Sequence, residues 1–438
     1  MRVHAAPDRD APASEGAGAS RQPLLSGALK DRARQLAGAL TETLRPTATA
    51  GPRGGSLSYG SAGLAVCSVE FARTRRDQQA ADTARIYLDE AVDVLASEPL
   101  TSSLYAGFTG IGWAVEMVDR LLGESEDHNG DIDEAVTTLL QRYPEQAPYD
   151  LIQGLTGLGV YALARWPRPG ATPCLLGVVE QLARRARDDA DGVYWRTPPS
   201  WIGLRRDQYR PAGVDLGVAH GIASVIPFLA RVHRIGVARQ TVRPLLDGAV
   251  SWLQAHMVDT PSGPTVPSFV IDGIEPGPAR SAWCYGDPGV AAALLLAARD
   301  VRKPAWTLMA TDLAVRAAAR PPEQTGVVDA GFCHGSAGLA HLFNRMYQMT
   351  AKPALADAAR FWIERTIDLC SADLSKAAAP DEDQMPADGE TPAWKGPGLL
   401  EGAAGIALAL EFASTTAEPV WDQMLLVSTT RTPGAEAR

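Results

Sequence analysis

Apolar positions along this chain fall into two helical patterns that alternate from end to end. The first is amphipathic and covers residues 28–44, 79–95, 132–142, 173–187, 242–257, 305–320 and 354–369. Many of these segments carry apolar side chains at i, i+4, i+7 and i+8, as Leu245, Ala249, Trp252 and Leu253 do, the stripe of a helix with one buried face. The second pattern is apolar nearly all round, as in Ile406-Ala407-Leu408-Ala409-Leu410, and predicts helices covered on every side. Each run of the second kind is opened by a short glycine frame, Gly-x-x-Gly in most copies. The first glycines of the seven frames are Gly60, Gly107, Gly154, Gly221, Gly286, Gly335 and Gly402, at steps of 47 to 67 residues.

Seven amphipathic helices thus alternate with seven wholly apolar ones, and no stretch alternates with period two long enough to demand a sheet. The fold class this predicts is all-α: an α/α toroid, a closed double layer of seven outer and seven inner helices. Closure lets every inner helix bury both flanks. The expected organisation is a disordered tail over residues 1–26, the toroid over 27–415 and a C-terminal tail over 416–438. The glycines suit tight turns and close packing at the helix starts. All inner helices then start from one end, so the residues before each first glycine gather around one mouth, where the helix N-termini point their partial positive charge. The longer steps add loops near 188–215, 258–282 and 371–398 at that mouth. Trp195, Trp201, Trp283 and Trp394 lie in or beside them, as walls for a bulky partner or as packing.

Composition narrows the class. An apolar fraction of 46% over 438 residues fits a large globular core. The net charge of −10 and the lack of a basic run argue against nucleic acid. The Ala-, Gly- and Ser-rich start has no signal-peptide block, the longest apolar runs are too short to span a bilayer, and the five cysteines are odd in number. A reducing cytoplasm and no integral membrane segment are expected.

The chemistry stands in two columns of the repeat. Cys284 and Cys333 both lie two residues before a first glycine; His220 and His334 both lie one before it. Cys284, Cys333 and His334 come from neighbouring frames and form the ligand set of a catalytic zinc, three protein donors with an open fourth position. The alternative is buried structural thiols with a capping histidine. Two thiolates and an imidazole leave Zn2+ near neutral, which suits a substrate thiolate better than water. Lowering a thiol's pKa by about two units favours its thiolate by roughly 2.7 kcal/mol. His220, two frames from His334, reads as a proton donor or acceptor, or as a helix cap. Asp150, four residues before Gly154, reads equally as a helix cap or a functional carboxylate. Arg280 and Tyr285 flank Cys284 and could hydrogen-bond a carbonyl or enolate oxygen. Asp287 and Glu401 read as helix caps, and Cys67, Cys174 and Cys370 as core thiols.

Trp283-Cys284-Tyr285-Gly286, Cys333-His334-Gly335, Ala219-His220-Gly221 and Tyr149-Asp150-Leu151-Ile152-x-Gly154 together resemble the signature of the lanthipeptide cyclases, the lanthionine synthetase C-like proteins. The resemblance runs from about residue 27 through all seven frames. It implies an α/α toroid holding one zinc through Cys284, Cys333 and His334. The implied reaction is Michael addition of peptide cysteines to dehydroalanine or dehydrobutyrine, with His220 and Asp150 at the acid–base positions and Arg280 and Tyr285 near the metal. The implied partner is a dehydrated precursor peptide with its leader; a separate dehydratase and a transporter are further candidates. Other readings remain at this point. Relatives of the eukaryotic type join glutathione to dehydroamino acids. Toroidal glycosidases would need a carboxylate pair such as Asp150 and Glu401, and protein prenyltransferases would need an Asp ligand and a second subunit.

Overall fold

The computed structural model describes residues 21, 23–46, 54–197, 213–378 and 393–429. Trp201, both chain ends and much of the 188–215 and 371–398 loops lie outside the described residues. The described chain forms fourteen α-helices. The inner seven are α2 (Ser61–Arg75), α4 (Phe108–Leu122), α6 (Leu155–Arg165), α8 (Ile222–Arg234), α10 (Asp287–Asp300), α12 (Ser336–Thr350) and α14 (Ala403–Ser414). The outer seven are α1 (Gly27–Thr43), α3 (Gln78–Ser97), α5 (Gly130–Gln141), α7 (Ala171–Arg185), α9 (Arg239–Ala255), α11 (Pro304–Ala318) and α13 (Pro353–Ala378). Each inner helix packs on the next, and α14 returns to α2; α1 covers α14, so the two ends of the domain meet to close an α/α toroid.

Burial follows the two sequence patterns. Every residue of α14 is buried, whereas α3 buries only Ala81, Ala84, Tyr87 and Ala91 along one stripe. Among the described residues, no helix is long and apolar enough to cross a membrane.

The glycine frames act mainly through close approach. A Cβ on Gly107 would strike the carbonyl oxygen of Thr101, and one on Gly110 that of Leu104. The chain doubles back so tightly that Phe108 N–H donates to Thr101 O at 2.9 Å, and Ser336 N–H to Asp329 O at 2.9 Å, satisfying donors that a helix start leaves open. Only Gly286 among the seven first glycines needs a left-handed backbone, at φ +87°.

Neighbouring frames are stitched together at the mouth by their backbones. Ser58 N donates to Tyr105 O (3.0 Å), Val218 N to Cys284 O (2.9 Å), Trp283 N to Cys333 O (3.1 Å), Phe332 N to Leu400 O (2.9 Å) and Leu399 N to Ser58 O (2.8 Å). These bonds fix the relative height of the frames, and with it the chemistry that each carries.

The structure adds short sheets to the helical scaffold, corrects the expected C-terminal tail and decides between two readings of the loop tryptophans. Short sheets are present: β1 (Arg187–Asp189) pairs antiparallel with β2 (Gly192–Tyr194), and β3 (Gly213–Asp215) with β4 (Phe269–Ile271), Val214 opposite Val270. Strands this short leave no periodic signal. The segment expected as a C-terminal tail is core up to residue 429. Trp421, Met424, Leu425, Leu426 and Val427 are buried, and Trp421–Leu425 forms a 3-10 turn. Val420 N and Trp421 N donate to Glu70 of α2, Arg231 of α8 to Ser428 O, Arg299 of α10 to Thr429 O, and His341 of α12 meets Asp422 at 3.1 Å. A segment that touches four inner helices from different sides lies on the toroid axis, filling the space their small side chains leave. Lastly, Trp195 and Trp283 are fully buried, with indole N–H groups donating to Leu182 O (2.9 Å) and Leu425 O (3.0 Å); they are packing, not walls. Trp394 is half-buried.

Candidate metal centre

The ligand atoms of Cys284, Cys333 and His334 all lie within 4.8 Å of one another. The stitching explains why. Cys284 N–H and Trp283 N–H both donate to the carbonyl of Cys333, and Cys333 N–H donates to Leu400 O at 2.6 Å. Trp283, just before the first thiol, is anchored by the axial segment. Two residues far apart in sequence are thereby held side by side by backbone bonds, and His334 follows Cys333 directly.

The donor set fits a soft divalent metal. Cys284 is buried, and Cys333 and His334 are half-buried. A hydrogen bond from Cys333 pulls the Cys284 thiol down to about 5 against the effect of burial, helped by His334 and the Arg280 charge. The same bond, with burial, pushes Cys333 up, and the Cys284 contact raises His334. The bare cluster is therefore a thiolate held by a thiol and an imidazole, ready to exchange protons for a cation whose bonds are about 2.0–2.3 Å long. His334 Nε2 lies 3.8 Å from Asp329 Oδ2 and 3.9 Å from Glu401 Oε1. These separations are beyond hydrogen-bond reach, so the Asp329 charge acts on the imidazole through space.

Neither expected cap is one. Glu401 faces His334 and receives Lys395 Nζ at 3.2 Å. Asp287 accepts from Thr265 Oγ1, Val266 N and Arg320 Nη2, tying the 258–282 loop to the mouth. Cys67, Cys174 and Cys370 are buried in the core, where desolvation raises each thiol, Cys370 to about 12.

Across the mouth, His220 Nδ1 meets Asp150 Oδ2 at 2.8 Å. Asp150 Oδ1 accepts Gln153 N–H at 2.7 Å, so the carboxylate closes its own turn and holds the histidine. Burial opposes the imidazolium, but the Asp150 bond and charge, with Asp215 behind, raise the pKa of His220. Among the described residues, His220 Nε2 has no hydrogen-bond partner, which leaves it as the nitrogen that can exchange a proton.

Sequence reasoning missed Asp215. Burial pushes this carboxyl up to about 7, and it accepts Gly217 N–H at 2.8 Å and the Tyr285 hydroxyl at 2.9 Å. Tyr285 is thus committed to Asp215. Arg280 donates to Gly326 O at 3.1 Å and reaches the thiols through its charge. A signal for Asp215 was present: Asp215-x-Gly217-x-x-His220-Gly221 repeats as Asp329-x-Gly331-x-x-His334-Gly335. Asp329 Oδ1 accepts Gly331 N–H at 2.9 Å, the same turn as at Asp215.

A family model described as lanthionine synthetase C-like protein matches residues 51–426. Among solved structures, nisin cyclase matches with a TM-score of 0.69 at 18% identity, covering 91% of this chain and 97% of that one. This is a likeness of fold. A sugar epimerase from a ruminal bacterium matches at TM-score 0.42 and 12% identity, over 87% of this chain and 98% of that one. An inactive α-1,6-mannanase variant of Salegentibacter sp. matches at 0.38 and 13%, over 89% and 99%. No curated protein matches the chain in sequence.

Proposed function

The chain belongs to the lanthionine synthetase C-like family, and from that premise we propose that it closes thioether rings in a dehydrated precursor peptide. A cysteine thiol of the peptide adds to the β-carbon of a dehydroalanine or dehydrobutyrine in the same peptide. The observation that carries this reading is the pair of groups facing one mouth: two thiols and an imidazole within 4.8 Å, and a histidine oriented by a carboxylate at 2.8 Å.

Cys284, Cys333 and His334 would hold a zinc ion. Bound there, zinc supplies a Lewis acid that favours the thiolate form of a substrate thiol near neutral pH. Arg280 adds positive charge beside the thiols. The reaction conserves protons: the substrate sulfur loses one, a C–S bond forms at the β-carbon, and the α-carbon gains one. His220 Nε2 delivers that proton, because Nδ1 is occupied by Asp150. Asp215 and Tyr285 brace the frame behind His220.

Cyclisation leaves the peptide's mass unchanged but removes a free thiol. A synthetic peptide with one dehydroalanine and one cysteine, incubated with the zinc-loaded protein, should stop reacting with N-ethylmaleimide. A peptide that keeps its thiol at full enzyme dose would reject the proposal. Glutathione added to the same assay separates the relatives' chemistry, since its conjugate carries extra mass.

A further inference from the structure

Resting on that peptide-modifying reading, we infer that a cationic cleft beside His220 docks an acidic segment of the peptide substrate. The cleft, of about 730 Å3, is lined by Asp150 and His220 and by the last turns of α5 and α7. Outer helices run back towards the mouth, so this places the cleft on the rim. Arg142, Arg184, Arg185, Arg187 and Arg196 line it, with Glu145 and Asp150 as the lining carboxylates. The chain as a whole carries a net charge of −10, so the local sign is reversed at this rim.

Ordinary structural causes explain only part of the cluster. Arg184 and Arg185 end α7, where a cation offsets the helix dipole. Arg187 in β1 and Arg196 beyond β2 have no such reason to be there. Arg185 braces the cleft: its guanidinium donates to Pro144 O at 2.8 Å and stacks over Tyr143 at 5.1 Å. The others are weakly neutralised. Arg184 has Glu180 at 3.8 Å and Arg196 has Asp272 at 3.5 Å, both pairs at the surface. Among the described residues, Arg142 and Arg187 have no ion pair, and Asp150 is occupied by His220.

The chemistry selects the ligand class. Guanidinium forks bind carboxylates in bidentate fashion. These come from three stretches of the chain, at 142, 184–187 and 196, which suits an extended chain of carboxylates over one small anion. Nucleic acid fits less well, because bases need open aromatic faces. Of the lining aromatics, Tyr143 is covered by Arg185, and Tyr149 and Trp195 are buried. A run of Asp or Glu in the precursor peptide, anchored here, would lead its reacting segment past His220.

Fluorescence anisotropy with a labelled oligoglutamate peptide and the zinc-loaded protein tests this directly. Binding should weaken as salt is added. The double variant Arg142→Glu/Arg187→Glu should bind at least about tenfold more weakly, while Arg142→Lys/Arg187→Lys, which keeps the charge but loses the forks, should bind with intermediate strength. In cyclisation of a peptide carrying an acidic segment, the reversed-charge variant should raise KM more than it lowers kcat. Equal binding by wild type and the reversed-charge variant overturns the proposal, as does an RNA oligonucleotide that outcompetes oligoglutamate. If oligoglutamate binds through these arginines but no dehydrated peptide is cyclised, the cleft stands and the ring-forming reading fails. If cyclisation proceeds and ignores both arginines, the failure lies with the cleft alone.

Discussion

The turns around His220 and His334 share one backbone design and differ in what surrounds the imidazole. In both, an aspartate six residues before the glycine accepts the N–H of the glycine two residues after it, at 2.8 Å and 2.9 Å. In both, the histidine immediately precedes the inner helix's first glycine. At the other column position, one has Ala219 and the other Cys333. His334 therefore sits with two thiols, and its Nε2 lies near Asp329 and Glu401. His220 has no thiol in its own turn and gives Nδ1 to Asp150. In the function proposed above, one scaffold turn yields a metal ligand or a proton carrier, according to a single neighbouring side chain and the partner that reaches in from the adjacent frame.

The most damaging change to this arrangement is removal of a thiol. Cys284→Ala and Cys333→Ala should each lose bound zinc and ring formation together, read by metal analysis and by the thiol assay. Circular dichroism should stay helical, because the fold rests on seven helix pairs and the axial segment. Full zinc occupancy in either variant would remove that cysteine from the ligand set. Next in size is the other histidine. His220→Ala should slow cyclisation by ~10²–10⁴-fold, the usual cost of a lost acid–base group, with the helical fold unaltered. A rate within about twofold of wild type would assign the proton to another group.

The glycine frames and their cysteine and histidine columns were legible because each is a local feature repeated at matched positions. The outer and inner helices were equally legible, since periodicity separates a striped helix from one that is covered all round. What escaped was tertiary. Asp215 meets Tyr285 only because two frames are stitched side by side, and no local pattern pairs residues that far apart. Met424 to Val427 form too short an apolar run to predict burial, and only the space on the toroid axis explains where they go. Trp195 and Trp283 looked like mouth residues by position, yet indole N–H bonds to Leu182 and Leu425 hold them inside.

Smaller changes sharpen the contrast between the two imidazoles. Asp150 raises the pKa of His220, so the acid form persists to higher pH and is lost as pH rises through the folded value. Asp150→Asn removes that support and lowers the pKa. The falling limb of kcat against pH should therefore move to lower pH, with zinc content unchanged; an unmoved limb would mean that His220 is not the titrating acid. Smallest of all should be Asp215→Asn, which keeps one oxygen for Gly217 N–H but presents an amide NH2 where the Tyr285 hydroxyl now donates, so that one hydrogen bond and the charge are lost. A loss of about two- to tenfold in kcat is expected, the net worth of one hydrogen bond at roughly 0.5–1.5 kcal/mol. A larger loss would make Asp215 more than a brace.

The central claim is that two histidines in equivalent turns have been given different work. Zinc content of His334→Ala and His220→Ala, purified side by side and checked for helicity, tests it most directly. His334→Ala should lose the metal and His220→Ala should retain it in full. Metal retained by folded His334→Ala, or lost from folded His220→Ala, would contradict the account.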